Sequence, residues 1–393
     1  MAQFKENDLM EGLVLIPRLN YDFRLQDAIK LTINSNDISE TYFSSLLGTS
    51  HIYFTNLART GLRLLLNATG LPAGAGIGVQ AYNCNTVFES IHMAGYKPVF
   101  VDINELLTID SQDLERKIEK IDALIITNTF GVPANWDQLK EIAGEKLIIE
   151  DCAHSFLSEY KGRLTGTLGD AAIFSFGNGK FPAIGTGGMV IIHNKIFLES
   201  FEKGYNELKE SSSGFKEIVK NWLFTLVHQK MIYGNITSPF IKKIDRKADF
   251  GGKFRWDEEK LRPLYKRLIL SKTSKFEYYL EKQQTHARRI LDEISENIKC
   301  PIKNLPETMN YFMIPILTSN RDDIIKKFIK KGVETGAHFK NSLGWAGKFG
   351  YETGSCPIAE KVTEKILCIP TYYKLSDIEV DRIILAVKQI LFS

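Results

Sequence analysis

A lysine and an aspartate stand out because of the segments in which they occur. Lys180 lies in the glycine-rich stretch FSFGNGKFPAIGTGG (residues 174–188), soon after the apolar run AAIFSF. Asp151 ends the apolar run LIIED. A surface lysine needs no such setting, whereas a lysine that brings its amine close to a flat, phosphate-bearing cofactor does. The carboxyl end of a buried parallel strand, where Asp151 is expected, is the edge at which such sheets bind ligands. The two residues therefore mark one candidate site.

Pyridoxal phosphate is a cofactor whose chemical needs these residue types meet. It requires an amine for a Schiff base, a carboxylate that keeps its ring nitrogen protonated, and hydroxyl and backbone N–H groups for its phosphate. The candidates are Lys180, Asp151, Ser175 and the helix start at Arg59-Thr60-Gly61, with His154 near the phenolic oxygen. Judged alone, Asp151 fits a helix cap or a metal or phosphoryl-transfer site equally well, and His154 fits a hydrogen-bonded core position.

The elements that would position these residues alternate between helix and strand from residue 58 to residue 193. The predicted strands are GIGVQAY, KPVFVDI, ALIITNT, KLIIED, AAIFSF and GGMVIIH, and the predicted helices are ARTGLRLLLNAT, VFESIHMAG, SQDLERKIEKI and NWDQLKEIAG. Strands that are apolar throughout, with helices between them, favour a parallel sheet covered on both faces. We therefore predict an α/β fold with a mainly parallel sheet.

The remainder of the chain predicts a second, smaller domain. Residues 195–290 are rich in lysine, glutamate and aromatic residues, and LSKTSKFEYYLEKQQTHARRILDEI is predicted to form one long helix. The final part mixes the strand MNYFMIPILT with the helices RDDIIKKFIKKG and SDIEVDRIILAVKQIL. With 393 residues, the chain is long enough for two cores. We predict a large domain over residues 1–250, including an N-terminal arm, and a small α+β domain over residues 251–393.

Composition excludes several classes of partner. Fifty basic and 47 acidic residues give a net charge of +3, which gives no support for a nucleic-acid or membrane partner. The five cysteines are scattered without a CxxC pair, so neither a metal site nor a redox motif is expected. The N-terminus MAQFKENDLM lacks an apolar core, and NWLFTLVHQKMIYGNI is interrupted by His228 and Lys230. We expect a cytoplasmic protein with free thiols.

A longer segment carries a family resemblance. EDCAHSFLSEYKGRLTGTLGDAAIFSFGNGKFPAIGTGGMVI (residues 150–191) resembles the active-site segment of the DegT/StrS family of sugar aminotransferases. That family has Glu-Asp-x-Ala-His/Gln, then Gly-Asp before an apolar strand, Ser-Phe-x-x-x-Lys and a Gly-Gly pair. AGYKPVFVDI and CPIAEKVTEKILCIPTYYKLSDIEVDRI resemble two further blocks, so the similarity extends discontinuously over most of residues 38–390.

The resemblance implies a fold-type-I pyridoxal-phosphate transferase that works as a homodimer. Lys180 would form the Schiff base and shuttle the proton, and Asp151 would pair with the ring nitrogen. His154 would contact the phenolic oxygen, while Ser175, Arg59 and Thr60 would bind the phosphate. The implied reaction moves an amino group from glutamate to a keto sugar linked to a nucleotide, for amino-sugar or surface-polysaccharide biosynthesis.

The chain departs from the family pattern at three places. In AYNCNT, Cys84 occupies the position of the usual aromatic residue that stacks on the cofactor, with Tyr82 as a neighbouring aromatic residue. Arg59 replaces the threonine of the usual phosphate turn. The Gly-x-Asn-Tyr-Arg segment, which usually reaches into the partner subunit's site, is not recognisable, and its region holds the aromatic, basic insertion at residues 221–247.

The sequence also contains features that could indicate a nucleotide-binding site or a different activity on the same fold. GNGKF resembles the end of a P-loop, but Phe181 follows the lysine where Ser or Thr is needed, and Phe174 occupies the position of the first glycine. GAGIG (residues 74–78) does not fit a dinucleotide-binding motif, because it precedes a strand instead of following one. Related sugar dehydratases carry histidine in place of the Schiff-base lysine, so Lys180 argues against that activity. A non-catalytic regulator on the same fold stays open.

Five cationic side chains are candidate partners for a diphosphate group. They lie in the helical region after residue 250, where a solvated helix face is the alternative interpretation. They are Arg262, Lys266, Arg267, Arg288 and Arg289.

Overall fold

The computed structural model describes residues 41–210, 257–305 and 308–392, together with residues 15–19, 22 and a few isolated positions (29, 219, 222–223 and 225–226). Most of the 221–247 insertion and the predicted domain boundary near residue 250 lie outside the described residues. No described helix is long and apolar enough to cross a membrane.

The described elements follow the predicted alternation closely. The helices are α1 (Thr41–Leu47), α2 (Ala58–Ala68), α3 (Asn85–Met93), α4 (Ser111–Lys117), α5 (Trp136–Ala143), α6 (Leu198–Asn206), α7 (Pro263–Ser271), α8 (Phe276–Leu291), α9 (Arg321–Lys330), α10 (Ser342–Ala346), α11 (Pro357–Lys365) and α12 (Asp377–Leu391). The strands are β1 (Ile52–Thr55), β2 (Gly76–Gln80), β3 (Lys97–Val101), β4 (Ala123–Thr127), β5 (Leu147–Asp151), β6 (Glu159–Tyr160), β7 (Arg163–Leu164), β8 (Ala171–Ser175), β9 (Gly188–Ile192), β10 (Ile314–Leu317) and β11 (Ile366–Ile369).

The large sheet has seven strands in the order β1-β9-β8-β5-β4-β2-β3. The pairs from β8 to β3 are parallel, which confirms the predicted mainly parallel sheet. Strand β9 is antiparallel to both of its neighbours, β1 and β8. Only twelve residues separate β8 from β9, at residues 176–187. This connection contains no helix and returns the chain beside the strand it leaves, whereas a parallel connection needs a crossover that is usually a helix.

Alternate residues of the central strands face two different cores. In β4, Ile125 packs into one core, with α2 and α3, while Leu124 and Ile126 pack into another, with α4 and α5. Strand β5 divides in the same way, with Ile149 in the first core and Ile148 in the second. Because side chains alternate across a strand, such uniformly apolar strands are buried by helices on both faces, as predicted.

The small domain is built around the antiparallel pair β10–β11, against which α8, α9 and α12 pack. The predicted long helix over residues 270–294 is wrong in one respect, because the structure ends α7 at Ser271 and starts α8 at Phe276. The interruption lets the buried Lys272 point inward, to Asp22 at 3.0 Å. Helix α7, which precedes the break, packs with β8 and β9 of the large sheet.

Gly188, at the start of β9, allows the N-terminus of α2 to approach the sheet. A Cβ atom at this position would lie 2.5 Å from both the Cα and the backbone N of Ala58. Gly61, one turn into α2, faces the side chain of Val190 with similarly little room. These two glycines therefore bring the start of α2 to the carboxyl edge of the parallel strands.

We predict that Gly188→Ala destabilises the protein by about 1–3 kcal/mol, since the added methyl group meets backbone atoms that cannot turn aside. Gly344→Ala in α10 is the matched control, because nothing lies within 4 Å of a Cβ at that position. The control is expected to be neutral or to stabilise α10 by up to about 1 kcal/mol. Urea unfolding of the two variants tests this; equal midpoints would contradict the role given to Gly188.

Candidate active site

Asp151 ends β5 and projects into a cavity at the carboxyl edge of the sheet. Its Oδ2 accepts a hydrogen bond from Thr127 Oγ1 at 3.1 Å, and its Oδ1 accepts one from the Ala153 N–H at 3.0 Å. Burial raises the pKa of this carboxyl, while the Ala153 N–H, Lys180 and Thr127 act in the opposite direction. With only these two hydrogen bonds from the described residues, the buried carboxylate has unused capacity for a cationic partner.

The neighbouring Glu150 has a structural role. Its carboxylate lies on the other face of β5, where it accepts hydrogen bonds from Asn128 Nδ2 at 2.8 Å and from the Leu168 N–H at 3.1 Å. The pKa of Glu150 is raised by burial. Of the two carboxylates at this strand end, therefore, only Asp151 reaches the cavity.

The loop that carries Lys180 is closed by backbone hydrogen bonds. The Phe176 N–H donates to Gly187 O at 2.8 Å, the Ile184 N–H donates to Phe176 O at 2.9 Å, and the Lys180 N–H donates to Gly177 O at 3.2 Å. Gly179 supplies a φ of +75°, a value that residues with a Cβ rarely adopt. The loop therefore holds Lys180 in a fixed position on the edge of the sheet.

The side chain of Lys180 is half-buried in the cavity, and its amine makes no hydrogen bond or ion pair with any described residue. Its Nζ lies 5.3 Å from the centre of the Phe312 ring. Burial lowers the pKa of Lys180, while the neighbouring Cys84 and Asp151 act in the opposite direction. A lowered pKa increases the share of the neutral amine, which is the form that attacks a carbonyl group.

His154 presents a neutral imidazole to the same cavity. Its Nδ1 accepts a hydrogen bond from the Phe130 N–H at 3.4 Å, which leaves Nε2 as the nitrogen that carries the proton. The ring stacks on Phe312 at 4.2 Å. Burial, Lys180 and His338 all lower its pKa, well below the usual value for histidine. The side chain is therefore a hydrogen-bond donor without charge.

Six of the seven predicted site residues line one cavity of about 440 Å³. They are Lys180, Asp151, His154, Ser175, Arg59 and Cys84. At one end, Ser175 lies close to the start of α2, and its Oγ is 3.4 Å from the Gly177 N–H. Burial lowers the pKa of Arg59, while Cys84, Asp257 and Glu89 act in the opposite direction. Arginine stays cationic despite such shifts, so this end of the cavity suits an anion.

Thr60 is the predicted residue that the structure does not bring to the cavity. Its hydroxyl donates to Asp257 O at 2.8 Å, and its N–H donates to Leu57 O at 3.0 Å. The helical rotation from Arg59 to Thr60 turns the second side chain away from the edge of the sheet. Thr60 therefore does not line the cavity, and a role for this residue in binding phosphate stays a prediction.

Tyr82 does not replace the missing aromatic residue at Cys84. Its ring is fully buried beside Phe130 and Phe339, and its hydroxyl donates to His338 O at 2.6 Å. Cys84 immediately precedes α3, with its Sγ 3.1 Å from Thr86 Oγ1. The cavity thus has a small sulfur-containing side chain where the family pattern has a ring.

Several lining residues were not predicted from the sequence. Thr127 ends β4 as Asp151 ends β5, and this shared position was the signal that could have identified it. Asn83, Asn178, Thr186 and Phe339 also line the cavity, and no motif marks them. The five cations considered for a diphosphate do not line it. Among them, Arg289 pairs with Asp377 and Asp381, on an exposed helix face.

A largely buried cluster of ionic groups around Asp22 contacts the Lys180 loop. The Asp22 N–H donates to Ala183 O at 2.9 Å, within the loop. The carboxylate of Asp22 binds Lys272 at 3.0 Å, Lys374 at 2.9 Å and the Tyr373 hydroxyl at 2.9 Å. One side chain therefore joins the N-terminal segment, the lysine loop and the small domain.

Comparison with known proteins identifies the family to which this chain is similar. The sequence profile of the DegT/DnrJ/EryC1/StrS aminotransferase family matches residues 32–388. An uncharacterized protein of Methanocaldococcus jannaschii, MJ1066, is 28% identical over 367 residues, which are 89% of this chain and 88% of that protein. GDP-perosamine synthase of Escherichia coli O157:H7 is 34% identical over 157 residues, which are 38% of this chain and 43% of that enzyme.

Solved structures show the same fold. The crystal structure of the aminotransferase TlmJ from Streptoalloteichus hindustanus superposes with a TM-score of 0.76 at 19% identity. The superposition covers 96% of this chain and 99% of that one. The predicted fold-type-I architecture is confirmed.

The desolvation of Lys180 predicts a stability effect in protein freed of any bound cofactor. Lys180→Met is expected to raise the free energy of unfolding, because the methionine removes a desolvated amine that has no partner among the described residues. The folded-state pKa lies below the ordinary 10.5, so the destabilisation is full below the folded pKa and vanishes as pH approaches 10.5. Denaturant unfolding at several pH values measures the gain, with Lys348→Met at an exposed position as control. A gain independent of pH would contradict the burial argument.

Proposed function

Because the chain belongs to the DegT/DnrJ/EryC1/StrS aminotransferase family, we propose that it transfers an amino group from glutamate to a keto sugar linked to a nucleotide, with pyridoxal phosphate as cofactor. The observation that carries the proposal is the amine of Lys180, which is desolvated in the cavity that it shares with the carboxylate of Asp151 and has no partner among the described residues. A lysine with a purely structural role is usually paired with a carboxylate or fully exposed to water.

The residues of the cavity fit pyridoxal phosphate. Lys180 would hold the cofactor covalently, Asp151 would pair with its ring nitrogen, and His154 would donate to its phenolic oxygen. Ser175, Arg59 and the N-terminus of α2 would hold the phosphate. When bound, the cofactor supplies an electron sink for the negative charge that develops at the amine-bearing carbon of the substrate.

The proton transfers fall to the amine of Lys180. The neutral amine would remove the proton from the α-carbon of glutamate and later return a proton to the carbonyl carbon of the acceptor. Desolvation favours this role because it lowers the pKa of the amine. Asp151, held by Thr127 and the Ala153 N–H, would keep the ring nitrogen of the cofactor protonated.

The substrate class is inferred from the relatives. GDP-perosamine synthase, named for a nucleotide-linked amino sugar, matches the chain over 157 residues. We therefore place the enzyme in amino-sugar or surface-polysaccharide biosynthesis and expect a homodimer. A cytoplasmic location, expected from the free cysteines, stays a prediction.

The visible spectrum tests the proposed cofactor and amino donor. Purified protein with pyridoxal phosphate should show a yellow absorbance band that bleaches when glutamate is added, and Lys180→Ala should have no turnover. A sugar dehydratase or a regulator on this fold would bind the cofactor without responding to glutamate. Full activity in Lys180→Ala would disprove the assignment.

Substitution of Asp151 tests the role of its carboxylate. Asp151→Asn is expected to lower kcat/KM for glutamate by about 10²–10³-fold, since it leaves a buried ring cation without its partner. Thr127→Val removes only one hydrogen bond to that carboxylate and is expected to lower it by about tenfold or less. Stopped-flow measurement of the bleaching rate compares the two variants. Equal losses would show that Asp151 contributes no more than its hydrogen bond with Thr127, and would contradict the proposed pairing with the ring nitrogen.

A further inference from the structure

Phe339 is the contribution of the small domain to the cavity. The other described residues that line the cavity fall between residues 57 and 187, whereas Phe339 lies in the segment before α10. It shares the cavity with Lys180, Asp151, His154 and Cys84. The aromatic ring therefore stands beside the groups proposed to do the chemistry, on a different domain.

The backbone at Phe339 is held in an unfavourable conformation. Its φ is +55°, in the left-handed region that bulky residues avoid. The preceding residue, His338, has a buried Nε2 that finds no hydrogen-bond partner among the described residues. Two unfavourable features on adjacent residues are more typical of a functional segment than of one selected for stability.

Contacts from both domains fix the direction of the Phe339 ring. Tyr82 of the large domain binds the carbonyl of His338 at 2.6 Å, and the ring of His338 lies 4.0 Å from that of Phe339. The Phe339 ring lies 5.5 Å from the His154 ring and is inclined to it by 16°. The ring is thus set nearly parallel to a side chain expected to contact the cofactor.

We propose that Phe339 recognises the acceptor by packing its aromatic face against the sugar ring. Sugar rings carry an apolar C–H surface that packs on aromatic faces, whereas glutamate offers only a short, flexible chain. The inference rests on the function proposed above and deepens it. Phe339 distinguishes the two substrates of one cavity: the sugar half-reaction needs the ring, and the glutamate half-reaction does not.

The test compares the two half-reactions in Phe339→Ala. The bleaching rate of the cofactor band is measured with glutamate and, in the reverse direction, with a panel of GDP-, UDP- and dTDP-linked amino sugars that includes GDP-perosamine. For the amino sugar that reacts best, we expect kcat/KM to fall by about tenfold or more, mainly through KM. The glutamate value should fall by less than about threefold. Phe339→Tyr, which keeps the aromatic face, should retain the sugar reaction.

Two further variants separate recognition from folding. Phe339→Gly adopts the positive φ without strain and also lacks the ring, so it should fold and show the same selective loss. Phe349→Ala removes a ring that packs near Phe88, away from the cavity, and should affect neither half-reaction selectively.

A binding measurement supplies a readout independent of turnover. In the Lys180→Ala background, the Kd of the reactive amino sugar, measured by calorimetry, should rise by about tenfold on Phe339→Ala and stay similar on Phe339→Tyr. Equal losses in the two half-reactions would overturn the proposal. So would a wild-type enzyme that reacts with glutamate but with none of the amino sugars. A wild-type enzyme that does not respond to glutamate would instead overturn the proposed function.

Discussion

The placement of one lysine amine and one carboxylate in the same cavity is the constraint on which the rest of the structure depends. Neither Lys180 nor Asp151 is stable in its ionised form away from water, and the shifted pKa values of both side chains express that tension. The fold keeps them in place with backbone hydrogen bonds at the lysine loop and with Thr127 and Ala153 at the carboxylate. A rigid frame of this kind can hold two groups that would otherwise relax toward solvent.

The reversed strand β9 makes this frame compact. Because β9 runs antiparallel to β8, both ends of the Lys180 loop lie at the carboxyl edge of the parallel strands. Strand β1, on the other side of β9, ends at the same edge and leads into α2. The absence of a side chain at Gly188 lets α2 start against the sheet. An amine, a carboxylate and a helix N-terminus therefore meet in one cavity without any long loop.

The strands, the parallel sheet and the grouping of six of the seven candidate residues in one cavity could be predicted from local sequence, because each apolar run is a separate element that ends at the edge where the cavity lies. The direction of Thr60 could not, since the rotation of α2 is fixed by distant contacts, including the carbonyl of Asp257. The break after Ser271 also depends on a distant residue, the carboxylate of Asp22. Phe339 was missed because its place in the cavity arises from packing between domains, which leaves no periodic pattern in the sequence.

The cluster around Asp22 has a consequence for shortened forms of this protein. One carboxylate neutralises two ammonium groups, Lys272 and Lys374, in a buried position behind the lysine loop. A chain cut just after Asp22 would lose both of these ion pairs, the hydrogen bond from the Tyr373 hydroxyl and the hydrogen bond to Ala183 O at the same time. The N-terminal segment would then no longer connect the lysine loop to the C-terminal part of the chain. An inactive truncated protein would in that case show the loss of this connection, although all six cavity-lining candidates were still present.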